Sequence, residues 1–272
     1  MSRLTKDSDF SSKRLVVTAS GPETEPKAVH LADHLKAEFC RCAEDLPEDV
    51  LVLSARSEGL TLSYGSLSMK GDLSDMLPRV RKENLNRELL VKAAGLNRMA
   101  NQEKELLAVD ATAGMGEDAL LLAASGCFVK LYEKDPVIAA LLKDSLERAA
   151  KIHELQEIVS RMELTEGDSL KELSSLPRQP YVILLDPMFP ERRKSALVGK
   201  KFQLLHYLER PCEEEEELLH AAIQAGPERI VIKRPLKGPY LGGIKPSFTM
   251  EGKAIRYDCL LQPQRTSGIE ER

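Results

Sequence analysis

The chain contains no tryptophan, only six phenylalanines and only six tyrosines. It has no apolar run near the roughly eighteen residues that a membrane-spanning helix needs, and its first residues lack the basic-then-apolar pattern of a signal peptide. Its five cysteines are odd in number and have no CxxC spacing, which indicates reduced thiols. These absences predict a cytoplasmic protein without disulfides, and no metal site is predicted.

An excess of positive charge is also missing, since the formal net charge is -4. A nucleic-acid partner would therefore need a local basic patch. Hydrophobic residues make up 42% of the 272 positions, and this length allows one good-sized domain with a smaller appendage.

One stretch organises the chain, Leu106–Ala119, which reads LLAVDATAGMGEDA. Its pattern is a strand, a glycine-bearing turn and the start of a helix. Glycines let the backbone bend sharply and approach a ligand closely, so a nucleotide-like ligand fits there. Gly114, Gly116 and Ala119 satisfy the GxGxxG/A pattern of a dinucleotide site. Asp110, at the strand end, is equally typical of an S-adenosylmethionine site, and the turn by itself leaves both open.

The first part of the chain, residues 1–77, is predicted to form a small α+β domain. The predicted elements are a strand at Arg14–Thr18, a helix at Ala28–Phe39 and a hairpin over Leu51–Tyr64. The main domain is predicted at residues 78–265, and residues 266–272 are predicted to form a flexible tail.

The main domain alternates strands and helices. It is entered through Pro78–Met99, whose spacing predicts one amphipathic helix with a basic face that includes Arg79 and Arg87. After the Leu106 strand, the predicted strands are Cys127–Leu131, Met162–Thr165, Tyr181–Leu185 and Arg229–Lys233, followed by a hairpin of Phe248–Glu251 with Ala254–Gln262. This order predicts an α/β fold with a parallel sheet covered on both faces and finished by an antiparallel pair.

Polar side chains follow each strand of this sheet, where ligands of such folds bind. Glu133, after the second strand, is placed to accept hydrogen bonds from the ribose hydroxyls of an adenosine group. Asp168, with Ser169 beside it, is placed to accept a hydrogen bond from the adenine amino group. Glu133 fits either cofactor.

The fourth strand favours methyl transfer to an amine, because it ends in Asp186-Pro187-Met188-Phe189-Pro190. An exocyclic amine is a poor nucleophile, since its lone pair is delocalised into the ring. The Asp186 carboxylate and the Pro187 carbonyl can hold the amine hydrogens and direct the lone pair, while Phe189 stacks on the base. A dehydrogenase needs no such corner.

A basic loop follows that corner and supplies the local patch that the net charge does not show. We predict that it binds the phosphates of a polynucleotide, together with Lys233, Arg234 and Lys237 after the fifth strand. The basic residues of the loop are Arg192, Arg193, Lys194, Lys200 and Lys201.

Four blocks of the chain resemble the RsmJ family of bacterial small-subunit ribosomal RNA guanine-N2 methyltransferases. They read DATAGMGEDA, YEKDPVIAALLKDSLERA, LLDPMFPERRKSALVGKK and KRP, and the likeness runs from about Leu85 to Asp258. The resemblance implies a class I, Rossmann-like S-adenosylmethionine-dependent methyltransferase sheet behind a small α+β N-terminal domain. It also implies S-adenosylmethionine as donor and 16S rRNA, free or in the 30S subunit, as acceptor.

The resemblance further implies which residues hold the donor. Besides the loop residues Asp110, Gly114 and Gly116, these are Glu117, Asp118, Glu133, Lys134, Asp168, Ser169 and Asp186. Met188 departs from the wider amino-methyltransferase pattern, which has a second proline there. The residues alone leave three alternatives: an amino-methyltransferase acting on DNA or protein, an NAD-dependent oxidoreductase, and a non-catalytic RNA-binding factor.

Overall fold

A computed structural model of the protein describes residues 14–41, 46–98, 105–187, 204 and 214–262. The described residues divide into two compact units. The first contains residues 14–41, 46–72, 135–148 and 204, and the second contains 73–98, 105–134, 149–187 and 214–262. The predicted tail, 266–272, lies outside the described residues. Within these ranges, no helix combines the length and the apolar character that crossing a membrane requires.

The helices and strands are numbered here in chain order. The helices are α1 (Glu25–Leu35), α2 (Leu77–Val80), α3 (Lys82–Leu85), α4 (Leu89–Ala93), α5 (Glu117–Ala124), α6 (Pro136–Ala149), α7 (His153–Val159), α8 (Ser169–Glu172) and α9 (Glu215–Gln224). The strands are β1 (Leu15–Ala19), β2 (Glu38–Cys40), β3 (Leu51–Arg56), β4 (Gly59–Tyr64), β5 (Leu67–Met69), β6 (Leu107–Asp110), β7 (Phe128–Glu133), β8 (Met162–Glu166), β9 (Val182–Leu185), β10 (Arg229–Pro235), β11 (Phe248–Glu251) and β12 (Ile255–Leu261).

The first unit is built on a five-stranded sheet in the order β2-β1-β3-β4-β5. The predicted hairpin is confirmed as β3 and β4, which pair antiparallel. The predicted end of the first helix is wrong, because Lys36 adopts a left-handed conformation with φ 51° and closes α1. The next residues, Glu38–Cys40, pair parallel with β1 instead of extending the helix.

Helix α6 belongs to this first unit up to Arg148, although it follows β7 in the chain. Its Asp144 carboxylate, which is buried, is bound by three donors of the unit. Lys27 Nζ lies 2.6 Å from Oδ1, Arg148 Nε lies 2.9 Å from Oδ2, and the Leu60 backbone N–H donates to Oδ2 at 2.9 Å. These contacts fix α6 against α1 and β4.

The second unit contains a seven-stranded sheet in the order β11-β12-β10-β9-β6-β7-β8. Strands β10, β9, β6, β7 and β8 are parallel, and β12 pairs antiparallel with both β10 and β11. This confirms the predicted parallel sheet with a closing antiparallel pair. Every residue of β6 and β9 is buried, as expected for central strands covered on both faces. Helix α9 packs over one face through Leu218, Leu219 and Ala222.

The segment before β6 is not the single amphipathic helix that its spacing predicts. It forms the three short helices α2, α3 and α4, because Arg81 and Glu88 adopt extended conformations with ψ 137° and 130°. The bends bring Arg79 to Glu88, whose carboxylate it contacts at 2.9 and 2.7 Å. In a straight helix these residues would be about 13.5 Å apart along the axis. The bends therefore bring together two charges that a single straight helix would keep apart.

Candidate active site

The turn after β6 carries the first acid of the site. Asp110 is buried, and its Oδ1 accepts the Thr112 backbone N–H at 3.2 Å. Gly114 and Gly116 have φ values of 53° and 76°, a left-handed region that favours glycine, and Gly116 precedes the first residue of α5. Burial, reinforced by the charges of Asp118 and Asp186, raises the pKa of Asp110 to about 8. The neutral acid therefore predominates at pH 7.

The acid after β7 lies directly against this turn. Glu133 Oε2 accepts the Gly114 backbone N–H at 2.8 Å, and the Ala113 N–H donates to the Tyr132 carbonyl at 3.0 Å. Glu133 is 8% exposed. The structure thus brings the glycine turn and Glu133 together, as a pocket for the adenosine part of a ligand requires.

The acid after β8 begins a helix and is paired with a lysine. The Asp168 carboxylate accepts the Leu170 N–H at 3.1 Å as the N-cap of α8, in which Ser169 is the first residue. Lys134 Nζ lies 2.9 Å from Asp168 and 3.3 Å from Glu214. Burial alone would raise the pKa of Asp168, but the hydrogen bond from Lys134 and that from Leu170 outweigh it and lower the pKa.

The corner after β9 joins the other elements. The Asp186 backbone N–H donates to Thr112 Oγ1 at 2.7 Å, which ties this corner to the turn after β6. Lys233 Nζ, from β10, lies 2.8 Å from Asp186 Oδ2 and 2.8 Å from Asp118 Oδ2. One ammonium group therefore bridges two carboxylates. Loss of hydration raises the pKa of Asp186, and Lys233 opposes this shift.

The predicted role of Lys233 and Arg234 as phosphate-binding residues is wrong. The Lys233 ammonium is bound to Asp118 and Asp186, and Arg234 is buried with its Nε donating to the Pro239 carbonyl at 2.9 Å. Neither cation faces an incoming phosphate. Lys233 and Arg234 are consecutive residues of β10, so their side chains point to opposite faces of the sheet, and both faces are covered.

Several predicted site residues lie outside the described residues. Of the corner after β9, the structure describes Asp186 and Pro187, whereas Phe189 falls beyond it. The basic loop residues Arg192, Arg193, Lys194, Lys200 and Lys201 fall beyond it as well. Glu117, the first residue of α5, is described and lies at the glycine turn.

The sequence-based prediction does not include Thr112 and Glu214, and it gives Lys233 a different role. Thr112 anchors Asp186, Glu214 binds Lys134, and Lys233 bridges two acids. The only signal in the sequence is the position of Thr112 within the turn and of Lys233 at a strand end. The pairings themselves join residues 74, 80 and 115 positions apart, and no local pattern encodes them.

The donor set fits S-adenosylmethionine. Carboxylates stand at the carboxyl ends of four adjacent parallel strands, β9, β6, β7 and β8, and the turn between β6 and α5 lies at the same edge of the sheet. Asp118 and Asp186 share the single Lys233 ammonium, which leaves a surplus of negative charge in the part of the site that the structure describes. A ligand carrying a sulfonium and an ammonium group complements this surplus of negative charge. Within the same residues, no group of His, Cys, Asp or Glu is arranged to hold a metal ion.

Comparison with known proteins agrees with this geometry. A family model described as SAM-dependent methyltransferase matches residues 45–262. A crystal structure of a SAM-dependent methyltransferase from Neisseria gonorrhoeae superposes with a TM-score of 0.70 at 25% identity, over 95% of this chain and 100% of that one. The fold and the site therefore define a class I S-adenosylmethionine-dependent methyltransferase.

Two curated relatives identify the family within this class. A ribosomal RNA small subunit methyltransferase J of Thioalkalivibrio sulfidiphilus is 36% identical over 258 residues, which cover 92% of this chain and 98% of the relative. One of Nitrosococcus oceani is 42% identical over 185 residues, 67% of this chain and 71% of the relative. The chain belongs to the ribosomal RNA small subunit methyltransferase J family, as its sequence motifs predict.

Proposed function

We propose that the protein methylates the exocyclic N2 amine of a guanosine in 16S rRNA. The observation that carries this proposal is the corner after β9, where Asp186 is anchored by Thr112 and paired with Lys233 beside the glycine turn. The names of the relatives support small-subunit ribosomal RNA as the acceptor. S-adenosylmethionine, when bound, supplies an electrophilic methyl group on a sulfonium.

The residues of the site act chiefly by positioning. The Asp186 carboxylate accepts an N–H of the amine and turns its lone pair toward the methyl group, and the Pro187 carbonyl is a second acceptor. Lys233 favours the ionised form of Asp186, which the loss of hydration alone would oppose. The methylated amine is strongly acidic until it loses a proton, so the Asp186 carboxylate suffices as base.

The donor residues follow from the same arrangement. We assign Glu133 to the ribose hydroxyls, Asp168 and Ser169 to the adenine, and the acids around the glycine turn to the cationic end of the donor. Phe189 is proposed to stack on the guanine. A guanosine that is paired or stacked in its RNA has to turn out of the stack to reach this site.

The first test is methyl transfer from tritiated S-adenosylmethionine to undermethylated 30S particles and to protein-free 16S rRNA, followed by mapping of the labelled nucleoside. Labelled N2-methylguanosine is expected. Transfer to one substrate only would identify it as the acceptor, and incorporation into DNA or protein instead would overturn the proposal. Action on ribosomal particles or their RNA places the protein in the cytoplasm, which is part of the same proposal.

The second test addresses Asp186. Asp186→Ala should lower transfer by at least about 10³-fold, because it removes the acceptor that positions the amine. Calorimetry should still detect donor binding. Glu163→Ala, which removes an exposed carboxylate from β8, is the matched control and should leave transfer unchanged. Turnover of Asp186→Ala at the wild-type rate would refute the assignment.

The third test addresses the basic loop. The triple variant Arg192→Ala, Arg193→Ala, Lys194→Ala should raise the KM for RNA and reduce the salt slope of RNA affinity by about 2, since single-stranded RNA contributes about 0.7 per contacted phosphate. Unchanged RNA affinity and salt dependence would remove these residues from the interface.

A further inference from the structure

A cavity of about 410 Å³ lies between the bent segment before β6 and the strand β12. Its walls include Arg79, Asn84 and Arg87 on the segment and Ile255 and Tyr257 on β12. All of these residues belong to the second unit. The volume lies within the range of about 300 to 1000 Å³ that is typical of sites for small organic ligands. The cavity is therefore large enough for one nucleoside.

Tyr257 connects this cavity to the acid cluster. In the antiparallel pairing of β10 with β12, Tyr257 stands directly opposite Lys233, so the two side chains leave the same face of the sheet about 5 Å apart at Cβ. Lys233 bridges Asp118 and Asp186 on that face. The side chain of Tyr257 is thus shared by the wall of the cavity and the surroundings of Asp186.

The chemical state of Tyr257 suits contact with a base. The tyrosine is buried, and burial together with the charge of Asp118 raises its pKa. It therefore remains a neutral phenol at neutral pH and adds no charge to the wall of the cavity. The neighbouring Ile255, two residues earlier on the same face of β12, adds an apolar wall.

The opposite wall of the cavity carries two arginines, of which one is paired with a carboxylate. Arg79 is bound by the Glu88 carboxylate through two hydrogen bonds, so its charge is compensated. Arg87 is exposed, and no carboxylate among the described residues lies within ion-pair distance of it. A guanidinium at the rim of an otherwise uncharged or compensated cavity complements a phosphate group.

We infer that this cavity receives the acceptor nucleotide, with its base against Tyr257 and Ile255 and its backbone phosphate on Arg87. The inference rests on the proposed function, because it names the place where the RNA guanosine enters.

The test fills the cavity and removes its charge. Ile255→Trp should lower kcat/KM for RNA by at least about tenfold, because the indole occupies the space for the base. Arg87→Glu should raise the KM for RNA by about tenfold and leave kcat nearly unchanged, because a carboxylate at this position repels a phosphate. Calorimetry of S-adenosylmethionine binding reports on folding, and the Kd of both variants should stay within about twofold of wild type.

The control is Arg178→Glu. Arg178 is also exposed, but it pairs with Glu105 before the amino ends of β9 and β6, at the edge of the sheet opposite the site. The KM of the Arg178→Glu variant for RNA should equal the wild-type value. Wild-type kcat/KM in Ile255→Trp, or equal effects of Arg87→Glu and Arg178→Glu, would overturn the inference while the proposed function stands. A wild-type protein that transfers no methyl group to RNA would instead refute the proposed function.

Discussion

The two units of the molecule each contain a cluster of ionic groups, and the clusters are built in opposite ways. In the first unit, one carboxylate, Asp144, is bound by two cations, Lys27 and Arg148. In the second, one cation, Lys233, is shared by two carboxylates, Asp118 and Asp186. Asp110 adds a further acid near the second cluster.

The pKa shifts show what this difference means. Burial would raise the pKa of Asp144, but the hydrogen bonds from Lys27, the Leu60 N–H and Arg148 outweigh it, and the pKa is lowered. In the second unit the pKa values of Asp110 and Asp186 are raised instead. A carboxylate with a surplus of donors stabilises a fold, whereas a surplus of carboxylates destabilises the unliganded protein and favours a cationic ligand.

The largest effect is expected at the first cluster. Asp144→Ala leaves Lys27, Arg148 and a backbone N–H without their shared acceptor, so the free energy of unfolding at pH 7 should fall by about 3 kcal/mol. Because the pKa of Asp144 is lowered, its contribution is present at neutral pH and is lost as the pH falls through that value. Glu147→Ala, an exposed position on the same helix, is the control for denaturant titration, and equal losses in both variants would contradict this.

The second cluster should respond differently to loss of its cation. Lys233→Met leaves Asp118 and Asp186 to repel each other, and the free energy of unfolding at pH 7 should fall by about 2 kcal/mol. The deficit should shrink toward pH 5, because the raised pKa of Asp186 lets it take up a proton. Lys233→Arg keeps the charge and should lose less. A deficit that does not change with pH would show that packing, rather than charge, causes it.

A smaller effect of opposite sign is expected for Asp110. Its pKa is about 8 in the folded protein and about 3.9 in an unfolded chain. The wild type therefore loses stability as the pH rises through this window, because ionisation is penalised only in the folded state. Asp110→Asn should raise the free energy of unfolding at pH 8, and the gain should decline toward pH 5. It should also weaken donor binding, and a gain of the same size at every pH would contradict the assignment.

The smallest effect is expected for an exposed pair that belongs to neither cluster. Lys130 Nζ lies 3.0 Å from Glu163 across β7 and β8. Water and salt screen such a pair, so Lys130→Ala should change the free energy of unfolding by no more than about 0.5 kcal/mol. A loss comparable to that of Asp144→Ala would show that an ion pair outside the two clusters stabilises the protein as much as the Asp144 cluster does.

The sequence predicts the architecture of the second unit well. The strand, glycine turn and helix from Leu106 onward, the acids at strand ends and the closing hairpin are short-range patterns of apolar spacing and turn residues. They are present in the structure because each is determined within about ten residues of chain. The single helix over Pro78–Met99 fails for the complementary reason, since α2 and α4 pack against α5, and α4 also packs against β11 and β12, which lie far away along the chain.

The sequence by itself determined the class of protein, the succession of strands along the chain and which acids follow which strands, because hydrophobic periodicity and glycine positions are local properties of the chain. Only the tertiary structure decided that Lys233 bridges Asp118 and Asp186 and that Lys27 and Arg148 both bind Asp144. It also decided that Tyr257 joins a cavity to the acid corner. Electrostatic pairing depends on distance in space and on burial, and neither is written in the spacing of residues along the chain.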